Sequence, residues 1–166
     1  MNKDKLENKP HKLIQNQRFL EINDLKHYIE WDALPGISFI NCSFEEVSLV
    51  GKVFGSCNFE NCAFNYFNVR KGTLSGCYFK GCKITNSDMT RAYFYDTHFA
   101  DCKFLGVDLA ASDFDSCKFE TTIFSKSNLN FISFENVKVW KLKEWLEIKD
   151  SFSFQKYLDE ENLDQS

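Results

Sequence analysis

The sequence predicts an all-β solenoid, a coil of four short straight sides stacked on itself for about five turns. Three observations predict it. Every fifth residue from Phe39 to Val139 is apolar without a break in phase, and thirteen of the chain's eighteen Phe fall in that register. All seven cysteines (Cys42, Cys57, Cys62, Cys77, Cys82, Cys102 and Cys117) fall in a second register two residues earlier. Residues twenty apart share a type, so four five-residue steps make one turn. A period of five fits neither the 3.6 of a helix nor the 2 of an ordinary strand.

Sorting the steps by every fourth one gives the columns expected to form the core. The first holds Phe39, Phe59, Phe79, Phe99 and Phe119, and the second Phe44, Phe64, Ile84, Phe104 and Phe124. The third contains no aromatic: Leu49, Val69, Met89, Leu109 and Leu129. The fourth holds Phe54, Leu74, Phe94, Phe114 and Phe134. Turns about 4.8 Å apart would pair backbone groups from one to the next, and like side chains would stack as ladders. Each fully buried Phe contributes about 1.5–3 kcal/mol, so these ladders can drive folding.

Val107-Asp108-Leu109, Ser112-Asp113-Phe114, Ser127-Asn128-Leu129 and Ser87-Asp88-Met89 resemble the repeat unit of the pentapeptide repeat proteins: a small residue, Asp or Asn, then Leu or Phe. The resemblance implies a right-handed quadrilateral parallel β-helix with short helical caps at both ends. It also implies that the Leu or Phe points inward, with the small residue two before it. Phe67 and Lys52 depart from the small residue at that position. Phe67 should demand local adjustment, and Lys52 should either snorkel to solvent or mark a loosened corner.

Taken in order, residues 1–17 are polar and read as a flexible tail. Residues 18–36 read as an N-terminal cap. The run from Arg18 to Ile22 looks like a strand with Phe19 one turn before Phe39, and Asn23 or Asp24 should cap a short helix through Trp31. Leu25, Tyr28 and Ile29 would face inward, and Leu34-Pro35-Gly36 would end the helix. The β-helix should occupy 37–139. Residues 140–158 read as a helical C-terminal cap. Leu142, Trp145 and Leu146 have helical spacing, and Ser151 can cap a second helix with Phe152, Phe154, Tyr157 and Leu158. Trp140 and these aromatics could cover the last turn or form a homodimer interface, the latter by analogy with quinolone-resistance members of the resembled family. An acidic tail, 159–166, ends the sequence.

Composition excludes several classes. The net charge of −4 and pI of about 5.4 argue against direct nucleic-acid binding or attraction to anionic lipid. Mean hydropathy is −0.38 and no long apolar run is present, which excludes a transmembrane helix. The N-terminus lacks the apolar stretch of a signal peptide. Seven cysteines at one repeat position read as reduced buried thiols in a cytoplasmic protein. Stacked cysteines point one way along a rod, whereas zinc needs four converging ligands, so no metal or other cofactor is expected. His98 sits at a solvent position between Tyr78 and Lys118 of the adjoining turns, on a flat side without a pocket, and no catalytic residues are assigned.

Charge therefore carries the functional reading. Residues 50–91 hold six basic side chains (Lys52, Arg70, Lys71, Lys80, Lys83 and Arg91) against Glu60 and Asp88. Residues 96–120 hold six acidic ones against Lys103 and Lys118. The fourth column carries Asp96, Asp113, Asp115 and Glu135 beside Tyr93 and Tyr95, with no outward Lys or Arg. That side is either solvated or a surface for a basic protein partner. Two functions fit: a non-catalytic protein-interaction scaffold with an unidentified protein partner, or a DNA mimic engaging DNA gyrase and conferring quinolone resistance, as members of the resembled family do. Mimicry needs acidic charge spread along the rod, whereas residues 37–139 hold eleven acidic and ten basic side chains. The unbroken phase also leaves out the loop insertions of the resistance proteins.

Overall fold

The corners explain the period of five. In the computed structural model, which describes residues 12–141, 143–150 and 152–157, every fifth residue from Gly36 to Asn136 has a positive φ, between 46° and 68°. This residue lies two past each core position and turns the chain through the next corner. Five of these corners are Gly and sixteen are not. A left-handed L-residue costs about 1–2 kcal/mol, so the turns persist because the coil holds them. Corner N–H groups donate to the next turn's carbonyls, as from Asn61 to Lys80 at 2.8 Å and Asp101 to Glu120 at 2.9 Å.

The result is a right-handed, four-sided parallel β-helix of about five turns. The first column forms an eight-stranded sheet running from Lys12–Gln15 to Glu144–Ile148. The second and fourth columns form six-stranded sheets. The third side has only single bridges, Ser48 to Asn68 to Asp88 to Asp108 to Asn128. Asx chemistry explains that side: the Oδ1 atoms of Asn68, Asp88 and Asp108 accept the N–H two residues on at 3.0, 2.9 and 3.0 Å. The side chain thereby satisfies a donor that a longer strand would otherwise pair.

Phe39, Phe44, Leu49, Phe54, Phe59, Phe64, Phe79, Phe94, Phe99, Phe104, Leu109, Phe114, Phe119 and Phe124 are buried, while Leu129 and Phe134 are partly buried in the last turn. In the first column successive rings stack with centroids 5.2, 4.6, 5.0 and 5.3 Å apart. Phe67 is buried too, with its ring 5.0 Å from Phe64 and 6.4 Å from Phe54. Its turn is the one in which the fourth column carries Leu74 in place of Phe. The smaller residue makes room for the extra ring. Lys52 reaches outward to the carboxylate of Asp32.

All seven cysteines are buried and unpaired by disulfides. Each Sγ lies near two carbonyls, as Cys62 does to Phe39 at 3.4 Å and to Glu60 at 3.5 Å. Thr97 and Thr122 hold the equivalent position and donate to the equivalent carbonyls, Thr97 to Leu74 at 3.0 Å and Thr122 to Phe99 at 3.1 Å. The thiol is thus a weak donor to backbone as well as small filler.

The N-terminal end differs from expectation. Lys12–Gln15, assigned to a tail, is the edge strand of the first sheet, with Ile14 opposite Phe39. Phe19 pairs with Phe44 rather than Phe39, so it belongs to the second column. From Phe19 to Leu34 the chain spends fifteen residues where Phe44 to Phe54 spends ten. The extra five accommodate a one-turn helix, Ile22–Leu25, shorter than the helix expected through Trp31. Asp24 acts from inside it, its Oδ2 accepting the Leu20 N–H at 2.7 Å. Leu34 does not terminate a helix but is buried in the strand Ala33–Pro35, opposite Phe54. Expectations for residues 1–11, Leu142, Ser151 and 158–166 lie outside the described residues.

The C-terminal end differs as well. Val137–Lys141 continues the first sheet, with Val139 opposite Phe119, and Glu144–Ile148 folds back antiparallel to it. Trp145 and Leu146 therefore lie on a strand, not the expected helix. Lys143, at φ 68°, makes the reversal. Apolar residues at 145, 146 and 148 suit either element, and the open hydrogen-bonding edge of the last turn selects the strand. A helix at 152–157 follows, with Asp150 Oδ1 accepting the Ser153 N–H at 2.8 Å. Phe154 and Tyr157 are buried by this helix, whereas Phe152 is 79% exposed.

Candidate functional site

Strand alternation builds the acidic side. Phe94 and Phe114 point inward, so Tyr93, Tyr95, Asp113 and Asp115 point outward on the sheet of the fourth column. Register then fixes the neighbours: Tyr93 stands opposite Asp113, Tyr95 opposite Asp115, and Asp115 opposite Glu135. The two tyrosine rings stack across their strand with centroids 6.3 Å apart. Tyr93 Oη donates to Asp115 Oδ2 at 3.1 Å, and Ser116 Oγ to Asp115 Oδ1 at 2.9 Å. Asp113 takes a hydrogen bond from Ser133. Desolvation, followed by the Asp115 carboxylate, holds the Tyr93 phenol above its ordinary value.

Asp115 and Glu135 are like charges in direct register with no cation facing either on this sheet. Such a pair is destabilising. Tyr93, Tyr95, Asp113, Asp115 and Glu135 thus form one patch. Asp96 does not join it. It occupies a corner and lines a separate hollow with Ser116, Lys118, Asn136, Lys138 and Glu147, where lysines offset its charge.

His98 is half-buried beneath the C-terminal hairpin, its ring 5.7 Å from Trp145. Trp145 also packs on Trp140 at 5.2 Å and beneath the Lys118 ammonium at 5.9 Å. His98 Nε2 is 3.5 Å from Glu120 Oε2, with geometry that makes no hydrogen bond. Burial lowers the His98 pKa, and Glu120 opposes that shift only in part. Phe154 is used within the chain, against Phe119, Phe124 and Phe134. Of the expected dimer contacts, Trp145, Leu146 and Phe152 remain exposed.

The thiols are buried, and contact with Cys77 lowers Cys57 while Cys42, Cys62, Cys77, Cys82 and Cys117 are raised. Cys62 is raised by its contact with Cys82 and by burial, and burial pushes Cys117 up to about 12. Among the described residues no group of three or more His, Cys, Asp or Glu is placed to hold a metal ion. No described helix is long and apolar enough to cross a membrane.

One feature escaped the sequence reading, which sorted charges by turn and not by corner. The corner after the third side carries Trp31, Gly51, Lys71, Arg91, Ala111 and Phe131, all exposed and all at positive φ. The same twenty-residue step, applied to corner positions, would have found it.

The sequence matches the family described as a pentapeptide repeat region over residues 52–122 and 73–143, together more than half of the chain. No match to a curated protein was found. Among solved structures the chain is similar to HetL, a pentapeptide repeat protein involved in heterocyst differentiation regulation from Nostoc sp. strain PCC 7120. Identity is 15% and the TM-score 0.33, covering 63% of this chain and 58% of that one. It is also similar to Rfr23 from the cyanobacterium Cyanothece 51142, at 8% identity and TM-score 0.29, covering 79% and 82%. A third is QnrB1, a plasmid-mediated fluoroquinolone resistance protein, at 14% identity and TM-score 0.22, covering 92% and 91%. The chain thus spans less than two thirds of HetL.

Proposed function

The chain belongs to the pentapeptide repeat family, and we propose that it is a non-catalytic protein-interaction scaffold that docks a basic partner on the sheet of its fourth column. The carrying observation is the registered pair Asp115 and Glu135, beside Asp113 and the stacked Tyr93 and Tyr95. Like charges in register with no facing cation cost the fold stability, although Tyr93 and Ser116 donate to Asp115, and a cationic partner converts that cost into affinity. Tyrosine faces add cation–π contacts to Lys or Arg. The reduced, buried thiols suit a cytoplasmic setting.

The alternative, DNA mimicry toward DNA gyrase, has less support. Acidic charge on this sheet is confined to the last turns, with Thr73 and Ser75 preceding Tyr93 and Tyr95. On the second side Lys83 stands opposite Lys103. A phosphate-like surface needs regular anionic charge along the rod. A homodimer through Trp145, Leu146 and Phe152 is the further assembly this surface offers. A monomer by light scattering at high concentration removes it.

The test is capture from cytosol by the native chain and by the D113N/D115N/E135Q variant, read by mass spectrometry. A partner held by the native chain and lost by the variant supports the reading, and an identical catch from both overturns it. Gyrase supercoiling unaltered by the protein, with and without quinolone, removes mimicry.

A further inference from the structure

The third corner presents cations without carboxylate partners. Arg70, Thr90, Arg91, Ala110 and Ala111 line a shallow hollow of about 320 Å³. Lys71 lies one turn from Arg91 on the same corner line, its N–H bonded to the Thr90 carbonyl at 3.0 Å. Arg70, Lys71 and Arg91 are all exposed. None makes an ion pair with any described residue.

Asp88 and Asp108, on the third side, form no ion pair with these cations and accept hydrogen bonds from their own neighbours. Asp88 Oδ1 accepts the Thr90 N–H at 2.9 Å and the Thr90 hydroxyl at 2.7 Å. Asp108 Oδ1 accepts the Ala110 N–H and the Asn128 amide, both at 3.0 Å. Ala110 and Ala111 bring no long side chain to cover the guanidinium groups. A carboxylate supplied from outside is what two unpaired, forked guanidinium groups match best.

We propose that this hollow docks an acidic segment of a partner protein, whose carboxylates pair with Arg70 and Arg91 while its backbone crosses the alanine shelf. The open shape selects a segment over a small anion, because nothing encloses the site. A long polyphosphate strand needs cations spread along its length, and this corner offers three, Arg70, Lys71 and Arg91. The inference rests on the scaffold reading but uses a different surface from the acidic sheet.

The test is fluorescence anisotropy of labelled hexaglutamate titrated with the full chain. Three variants are compared: R70Q/R91Q, K83Q/K103Q with equal charge lost on the second side, and D113N/D115N/E135Q. The native chain should bind saturably, and R70Q/R91Q should weaken binding about tenfold or more. K83Q/K103Q and D113N/D115N/E135Q should keep it. Equal weakening by both basic variants, or no saturable binding by the native chain, overturns the proposal. So does displacement by inorganic phosphate at the peptide's own concentration, or tighter binding of an oligothymidylate. Loss of partner capture in D113N/D115N/E135Q with hexaglutamate binding intact separates the two readings.

Discussion

The ring of Phe154 stands 4.7 Å from that of Phe134, so one side chain from the C-terminal helix closes the open end of the fourth column. It also meets Phe119 at 5.4 Å and Phe124 at 5.5 Å. Without it, the last rings of the second and fourth columns, Phe124 and Phe134, would lose their cover. Phe154→Ala should therefore cost about 3–5 kcal/mol in urea unfolding. Phe152→Ala, at a site 79% exposed, should change stability by no more than about 0.5 kcal/mol. Equal costs would show that the helix does not cap the coil.

Phe67 is buried in the turn whose fourth-column residue is Leu74, where other turns carry Phe54, Phe94 and Phe114. Leu74→Phe in the native chain should overpack that turn and cost about 1–3 kcal/mol. In a Phe67→Val background the same change should cost less, because the added ring enters the space vacated. A double-mutant cycle by thermal unfolding reads the coupling, and additive effects would refute the compensation.

The seven buried thiols should stay unlabelled by a thiol-specific disulfide reagent at pH 8 and react together on unfolding. Burial holds Cys117 near 12, so its thiolate is scarce far above neutral pH. Cys77→Thr should retain stability within about 1 kcal/mol, since Thr97 makes the equivalent carbonyl bond one turn on. Fast labelling of a single thiol in the folded protein would contradict this.

His98 gives the hairpin a pH dependence. Its folded pKa lies below the ordinary value because burial disfavours the cation. The unfolded state therefore binds the proton more readily, and stability falls as pH drops from the ordinary His value, about 6.5, through the folded pKa. Trp145 fluorescence and amide exchange across Glu144–Ile148 should report looser packing on acidification, and His98→Gln should flatten that response. A His98 titration above 6.5 by NMR would reverse the sign.

Phe131 is 89% exposed at φ 60°, so it bears the left-handed penalty with little burial in return. Phe131→Gly should stabilise the fold by about 1 kcal/mol, seen as a higher Tm. A drop would mean that the ring packs on something in solution.

Much of this architecture was legible because a period of five, repeated four times per turn, leaves one consistent way to bury Phe39 through Phe134. The ends were less legible. Phe19 keeps the five-residue phase, yet phase alone does not count the steps in a turn, and the added five residues moved it from the first column to the second. Leu142, Trp145 and Leu146 suited a helix by spacing, but the preceding strand left an unpaired edge that a returning strand could satisfy. Strand alternation placed Tyr93, Tyr95, Asp113, Asp115 and Glu135 on one side, whereas Asp96 fell on a corner beside Lys118 and Lys138. The arginine hollow was missed because its members lie twenty-one residues apart, one corner position off a common column.

By itself the sequence determined the repeat, its inward residues and its four columns, since each depends on local alternation carried unchanged from turn to turn. Only the tertiary structure decided which charges meet, which aromatics are consumed in closing the ends, and where cations are left without partners. Those outcomes depend on the offset between turns and on the chain's course beyond the last repeat. Both are set by long-range backbone pairing and end-on packing, which no five-residue pattern encodes.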